Sequence, residues 1–535
     1  MLLIAHSKPI VTPGFMNEWI SRLRLQKTRL ELKEAGRSIQ SAATHQGWRQ
    51  PRSSLFLAFL AGFSVLLLKH GHHLPTTGND TLTLFGDVFL IVITLMIGAT
   101  FLRALTSPTF RSRHQAILLL IILAILTLIP IRILPLAIPL RLPLITPDAL
   151  VFLFPMGLAP LLAVLLLSPS AALILGLWTS CVAALLTGSN FTVLLLGLLQ
   201  TGMIVSLTRR VRRRSHLLKI GLLTGLALVY GALAQNIAFG ETPSTLLAHV
   251  FLCLINGLFT AIIAVLLLPL LESVFDVSSP ITLSDLADLG HPLLQRLAIE
   301  APGTYHHCLV AANLAQAAAQ AIGANALLAQ AGTYYHDIGK LGKAGLYTEN
   351  MQAQDNPHDE LSPHMSALLI TSHVKEGVSL ALLSKLPRSV IDIIKQHHGT
   401  GPIAFFLHKA KVQNEIEKKR EGRPGFPGAT TPVNESDFRY PGPKPQSREA
   451  AIVMIADAAE AASRSLAKPT PNHIRDLISD LIRGKLLDGQ FDECGLTLAE
   501  LNRLRESFIF TLTSMFHSRI AYPKDEVHPA QPPAN

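Results

Sequence analysis

Seven residues in the C-terminal half have the types and order needed to hold metal ions. His307 comes first. His336 and Asp337 follow after 28 residues, in TYYHDIGK, and His373 after 35 more. His397 and His398 come after another 23, in KQHHGTG, and Asp457 after 58, in MIADAAEA. Imidazole combined with carboxylate suits Fe, Mn, Zn or similar ions better than Mg or Ca alone. Seven ligands are too many for one catalytic ion with an open position, but they suit two ions bridged by one carboxylate. Two ions about 3.5–4 Å apart would activate a bridging water and clamp the oxygens of an in-line displacement at phosphorus. Taken singly, each residue has a plainer reading, because a helical histidine is more often packed or solvated than a ligand. The ordered series is what carries the specificity.

Helices must position these residues. Helical periodicity runs through 283–299, 304–322, 325–337, 362–373, 377–385, 388–397 and 448–466, and alternating β-branched runs are absent, so this half reads as all-α. Residues 413–447, rich in Pro, Gly, Lys and Glu, read as a loop, and 522–535 as a disordered tail.

The other half is apolar. Of 535 residues, 49% are hydrophobic and 15% charged, against about 25% charged in an ordinary soluble protein. This excludes a disordered chain and argues against a wholly soluble enzyme. Eight apolar segments are read at about 55–68, 84–105, 116–136, 149–167, 171–187, 191–207, 218–238 and 247–271; the first is short, and the fifth and sixth are marginal for a span. The proline series Pro130, Pro135, Pro139 and Pro143 is expected to kink or unwind the end of the third.

Residues 1–53 hold nine Lys/Arg against three Glu, and Arg103, Arg111, Arg113 and Arg209–Arg214 crowd two later loops. Eight spans with the N-terminus inside put all of these, and everything after Glu272, in the cytoplasm. Arg132 and Arg141 fit less well. The net charge of +10 is then mostly topological, and no nucleic-acid polymer is needed to explain it. Residues 16–39 read as a cytoplasmic helix, either solvated or lying on anionic lipid. Pro9 and Pro13 argue against a cleavable signal. Sparse mid-membrane charge disfavours a transporter. Four scattered cysteines with no CxxC spacing disfavour a disulfide framework or zinc knuckle and fit a reducing compartment. The expected organisation is a cytoplasmic segment (1–53), a transmembrane helical domain (54–272), a cytoplasmic all-helical domain (273–521) and a tail (522–535).

The series H…HD…H…HH…D resembles the HD-domain metal-dependent phosphohydrolases. The stretches APGTYHH (301–307), YYHDIGKLGK (334–343), NPHDELSPHMSALLITSHVKEG (356–377), QHHGTGPIAFFLHKA (396–410), FRYPGPKPQSREAAIVMIADAAEAASRS (438–465) and DGQFDECGLT (488–497) are similar to the PgpH-type membrane HD hydrolases. The resemblance covers nearly all of 280–522. It implies a membrane-bound phosphodiesterase of the bacterial inner membrane, cleaving cyclic di-AMP to pApA at two divalent metals, Mn or Fe, and plausibly paired with a second copy. It places His307, His336, Asp337 and Asp457 around one ion and His373, His397 and His398 around the other, with Asp337 bridging. The choice of His307 over His306 also rests on it. The chain departs from the family in having only about 15 residues (69–83) where a large extracellular domain is usual.

A Gly-Thr-Gly-Pro run follows His398, and no GYP motif is present, which disfavours cyclic di-GMP. The alternatives are another nucleotide or cyclic dinucleotide, or a membrane nucleotide receptor without turnover. Around the metal series, Lys340 would share a face with Asp337 if the helix continued, and its ammonium would then stabilise transition-state charge on phosphate; a solvated lysine is the plainer reading. Gly339 and Gly342 would let the backbone turn. Arg439, Tyr440 and Lys444 are candidates to stack on adenine or meet phosphate. Arg448 and Glu449 read as a structural ion pair, and His364 and His408 as surface or supporting residues.

Overall fold

In the computed structural model the described residues are 113–137, 147–188, 190–208, 211–240, 242–351, 356–420, 432–466 and 470–517. The first two apolar segments, the 16–39 helix, the 69–83 gap and the tail lie outside them. The described residues are helical, with one isolated bridge, between Pro402 and Arg439, and no strand. They form two compact units, one up to residue 291 together with 387–389, the other 292–386 with 390–517.

The first unit is a membrane unit. Five of its segments are long and apolar enough to cross a membrane, and Phe191–Leu207 is a shorter apolar helix. Its helices are α1 (Arg113–Ala137), α2 (Leu158–Leu166), α3 (Pro169–Leu186), α4 (Phe191–Leu207), α5 (Arg214–Phe239), α6 (Pro243–Phe275) and α7 (Pro280–Leu286). Ser168 and Asn190 cap α3 and α4 by accepting from backbone amides of their first turns, which satisfies donors the helix leaves open.

Two expectations need correction here. α1 continues through Pro130 and Pro135 to Ala137 instead of unwinding at them. The 149–167 segment is interrupted: a 3-10 helix, Pro147–Leu153, gives way to irregular backbone before α2 starts at Leu158. Pro155 sits in that gap, and two carbonyls flanking the break, Phe152 at the end of the 3-10 helix and Phe154 in the irregular stretch, accept from the Asn256 amide at 2.8 Å each. Irregular backbone survives at membrane depth only where such partners exist. α5 and α6 pack with glycine on both sides: a Cβ at Gly257 would press on the backbone of Gly221 and Gly225. Small residues allow this backbone approach where lipid offers no hydrophobic drive between helices.

The second unit comprises α8 (Pro292–Glu300), α9 (Pro302–Ile322), α10 (Ala326–Tyr335), a 3-10 stretch (Ile338–Leu346), α11 (Pro363–Leu383), α12 (Arg388–Gln396), α13 (Ala404–Arg420), α14 (Arg448–Arg464), α15 (Pro471–Leu487) and α16 (Leu498–His517). α9 and α14 supply an alanine-rich core face, with Ala311, Ala312, Ala315, Ala450, Ala451 and Ala456 fully buried or nearly so. Short side chains bring these two axes close, and with them His307 and Asp457.

The helix expected over 283–299 is two helices, broken before Pro292. One helix, Pro363–Leu383, stands where two were expected over 362–373 and 377–385. α13 extends to Arg420, into the expected loop.

Candidate metal centre

α9 carries His307, buried, while His306 one residue earlier is exposed, as the 100° step between helical neighbours requires. α10 ends at Tyr335, and His336 and Asp337 occupy the turn into the 3-10 stretch. His373 lies on α11. His397 and His398 follow the last residue of α12, in a turn closed by Gly399 at φ +55°. Asp457 is on α14. Gly339 lets the HD segment reach α11: a Cβ there would collide with the His373 carbonyl and the Gly377 amide. Its role is close approach; Gly342 has nothing within 4 Å and no positive φ, and the backbone kinks beside it, at Lys343 (φ −146°).

All seven expected residues converge on Asp337 and Asp457, and they fall into two groups with ligand atoms mutually within 4.8 Å: His307, His336 and Asp457, and Asp337, His373, His397 and His398. Asp337 divides its oxygens between them. Oδ2 lies 3.3 Å from His336 Nε2 and 3.7 Å from His307 Nε2. Oδ1 lies 3.4 Å from His373 Nε2 and 3.7 Å from His397 Nε2. Asp457 also spans the groups, with Oδ1 3.1 Å from His307 Nε2 and Oδ2 3.6 Å from His398 Nδ1.

The hydrogen bonds behind the rings decide which nitrogens face inward as lone pairs. His336, His373 and His397 direct Nδ1 to the carbonyls of Thr333, Ile370 and Ile394, at 2.7, 2.6 and 2.8 Å. A carbonyl only accepts, so each Nδ1 carries the hydrogen and, in the neutral ring, Nε2 is left with a lone pair. His373 Nε2 and His397 Nε2 then face each other at 3.3 Å, beside an Asp337 Oδ1 that is buried without a hydrogen-bond partner. Two lone pairs and an unpaired carboxylate oxygen converging in a buried space fit a cation. The His/Asp set suits divalent ions.

The charges agree. Burial pushes His397 down to about 3, with the His336 charge adding to it, and burial holds His398 well below its ordinary range. These are the neutral imidazoles metal coordination requires. Burial opposes ionisation of Asp337, but Lys340 and His336 outweigh it and hold the carboxyl well below the usual range. Burial likewise opposes the charged form of His307, yet its bonds to Asp457 and Glu460 raise it to about 10.

Lys340 shares a face with Asp337 as expected, although a 3-10 stretch stands where the α-helix was to continue. The Lys340 ammonium sits 2.7 Å from Asp337 Oδ2 and 2.8 Å from Glu349 Oε1, neither solvated nor free. Arg439 is committed to Asp488, Glu435 and the Thr400 carbonyl, and Lys444 to Asp492. Tyr440 does reach the centre: its ring stacks on His398, centroids 4.1 Å apart, positioned by paired backbone bonds between 401–403 and 438–440. Arg448 pairs with Glu500, and Glu449 accepts from the Asn325 amide, so these two are not each other's partners. His364 and His408 are exposed.

Glu460, Glu349 and Cys308, whose sulfur is 3.7 Å from His336 Nδ1, were not singled out from sequence. Glu460 had a signal: it is three residues beyond Asp457 on a helix, hence on the same face.

Residues 81–279 match the family described as a 7TM receptor with intracellular HD hydrolase, and residues 304–462 match the HD domain. The cyclic-di-AMP phosphodiesterase PgpH of Bacillus subtilis is 43% identical over 270 residues, 50% of this chain and 36% of that protein. The protein of the same name from Listeria monocytogenes is 39% identical over 325 residues, 60% of this chain and 43% of that protein. The chain thus spans less than half the length of these relatives. The crystal structure of the L. monocytogenes PgpH HD domain in complex with cyclic-di-AMP is 42% identical, with a TM-score of 0.38, covering 43% of this chain and 99% of that one.

Proposed function

We propose that this chain, a member of the PgpH-type membrane HD hydrolases, cleaves cyclic di-AMP to the linear dinucleotide pApA at a two-metal centre. The observation that carries the reading is the division of Asp337: each oxygen faces a separate set of imidazole nitrogens. His307, His336, Asp337 and Asp457 would hold one ion, and His373, His397 and His398 the other, with Asp337 shared; Mn or Fe fits the donors best. The ions, when bound, supply Lewis acidity that acidifies water and neutralises charge on the phosphodiester.

The chain's own residues do the rest. The carbonyls behind His336, His373 and His397 lock the tautomer that presents Nε2. Lys340 holds Asp337 ionised and, by sitting on Oδ2, restrains its rotation. Tyr440 offers a ring beside His398 on which an adenine can stack.

The basic run before α5 favours an inner-membrane protein with the HD unit in the cytoplasm. A reporter fused after Arg212 should report cytoplasm, and one fused after Gly240 the opposite side. Activity is tested with the full chain in detergent and added Mn²⁺, offering cyclic di-AMP and cyclic di-GMP separately. Preferential turnover of cyclic di-AMP supports the reading. Bound metal with no turnover of either dinucleotide would replace it with a nucleotide receptor.

A further inference from the structure

The four histidines whose Nε2 atoms face the centre are not held alike. Three give their Nδ1 hydrogen to a backbone carbonyl three residues earlier. His307 gives its own to a carboxylate, Glu460 Oε2, and both side chains are buried. The other Glu460 oxygen accepts from Arg464 Nε at 2.6 Å, so both oxygens are engaged and the carboxylate is fixed in place. Glu460 and Asp457 leave the same face of α14, one turn apart, so a single helix supplies a ligand atom to the His307 group and the anchor for its histidine.

A carboxylate behind a ligating imidazole fixes its ring and raises the donor strength of the opposite nitrogen more than a neutral carbonyl does. The His307 group therefore has one carboxylate-backed histidine, together with Asp457 Oδ1 and Asp337 Oδ2. The His373 group has carbonyl-backed rings at both of its Nε2 donors, the remaining Asp337 oxygen, and Asp457 Oδ2 at 3.6 Å from His398 Nδ1, but no carboxylate-backed histidine.

Resting on the two-ion reading, we infer that Glu460 is a positioning residue that makes the two metal positions unequal. The His307–His336–Asp457 position fills first and tightly, and the His373–His397–His398 position fills second and loosely. Such an order would let the cell's supply of divalent metal set activity through the second position alone.

The test is Mn²⁺ binding to the metal-stripped full chain in detergent, followed by calorimetry and by the free-Mn²⁺ resonance signal. Wild type should show two separated steps. Glu460→Gln should weaken the tight step by about 10- to 100-fold and leave the loose step unchanged. In a His307→Ala background the same change should have no further effect, because Glu460 acts through that ring. If Glu460→Gln does not fold, Arg464→Gln alters a partly exposed side chain and releases one of the two anchors; it should loosen the tight step by roughly threefold. No change in either step, or equal weakening of both, overturns the inference while leaving two-metal binding intact. A wild-type chain that binds fewer than two ions overturns the two-ion reading, and the inference with it.

Discussion

The membrane unit and the HD unit both bury polar groups, but they answer them differently. In the membrane unit Thr127, Thr179, Ser180, Thr201 and Thr224 each donate to the carbonyl one turn back in the same helix. Asn256 binds two carbonyls of the interrupted segment and accepts from Gln200. These groups are neutral; the hydroxyls bond within their own helices, and Asn256 bonds across the unit. In the HD unit ionised Asp337 and Asp457 are drawn together with five histidines and a lysine, and Asp337 Oδ1 is left without a hydrogen-bond donor.

Gln200 Oε1 is also unanswered, but it stands among neutral groups. Asp337 Oδ1 stands opposite two converging lone pairs. An unmet acceptor becomes evidence for a ligand when neighbouring groups share its need. A buried charge without compensation costs far more than a buried amide, so the HD cluster calls for cations and the membrane cluster does not.

Removing the shared carboxylate breaks this contrast most sharply. Asp337→Ala takes away the negative charge facing both histidine groups. Two divalent ions at 4 Å repel with energy on the order of 4 kcal/mol even at water's dielectric constant. We expect bound metal to fall below two per chain and hydrolysis to drop by at least about 1,000-fold, with the helical circular dichroism unchanged. A variant that keeps both ions, or stays active, would refute the shared-carboxylate arrangement. His373→Ala is the milder version. It removes one neutral ligand from one position, so activity should fall by about 10- to 100-fold and recover in part at high Mn²⁺. Recovery of Asp337→Ala under the same conditions would contradict the distinction.

The membrane side of the contrast is sharpened by Gly257→Ala. The three atoms nearest the added Cβ are all backbone, of Gly221 and Gly225, so α5 and α6 must separate, at about 1–3 kcal/mol. The melting temperature of the chain in detergent should fall while Mn²⁺ stoichiometry holds at two. A loss of metal in this variant would show that packing in the membrane unit reaches the HD centre.

The metal series was legible because its residues are chemically distinctive and their order is strict. The helices carrying them were legible from apolar periodicity, although boundaries shifted where tertiary packing intervened. Gly377 sits inside one continuous α11, against Gly339, where periodicity gave two helices. The interruption before Leu158 had a signal in Pro155 and Gly157, but the apolar run masked it, and the partner that stabilises it, Asn256, is more than 100 residues away in sequence. Lys340 lies on the face that the sequence indicated, but its ion pairs with Asp337 Oδ2 and Glu349 were not legible, because Glu349 belongs to no motif. The ion pairs of Arg439 and Lys444 were hidden because their acidic partners, Asp488 and Asp492, lie 49 and 48 residues further along the chain, in the DGQFDECGLT stretch, and no spacing rule pairs them.

Arg439 gives the finest test, because the sequence and the structure assign it different work. As a substrate contact, its loss would raise the KM for cyclic di-AMP tenfold or more and leave stability unchanged. In the structure its guanidinium forks onto Asp488 at 2.9 and 3.2 Å, reaches Glu435 at 2.8 Å and holds the Thr400 carbonyl at 2.9 Å. Thr400 follows the His397–His398 turn, and Gln490 binds its amide. Arg439 therefore braces the turn that aims two of the seven ligands. Removing it leaves Asp488 and the carbonyl to nearby solvent, since the pair is partly exposed, so the cost should be only about 1 kcal/mol. Arg439→Ala should lower the melting temperature by a few degrees, weaken the second Mn²⁺ step slightly and leave the KM within about twofold. Arg439→Lys should behave like the alanine variant, because an ammonium cannot make the forked contact. Tyr440→Leu should do the reverse, raising the KM with little change in melting, because the aromatic face beside His398 is lost. A large rise in KM for Arg439→Ala with an unchanged melting temperature would return that residue to the substrate site and leave the turn to be held by Gln490 alone.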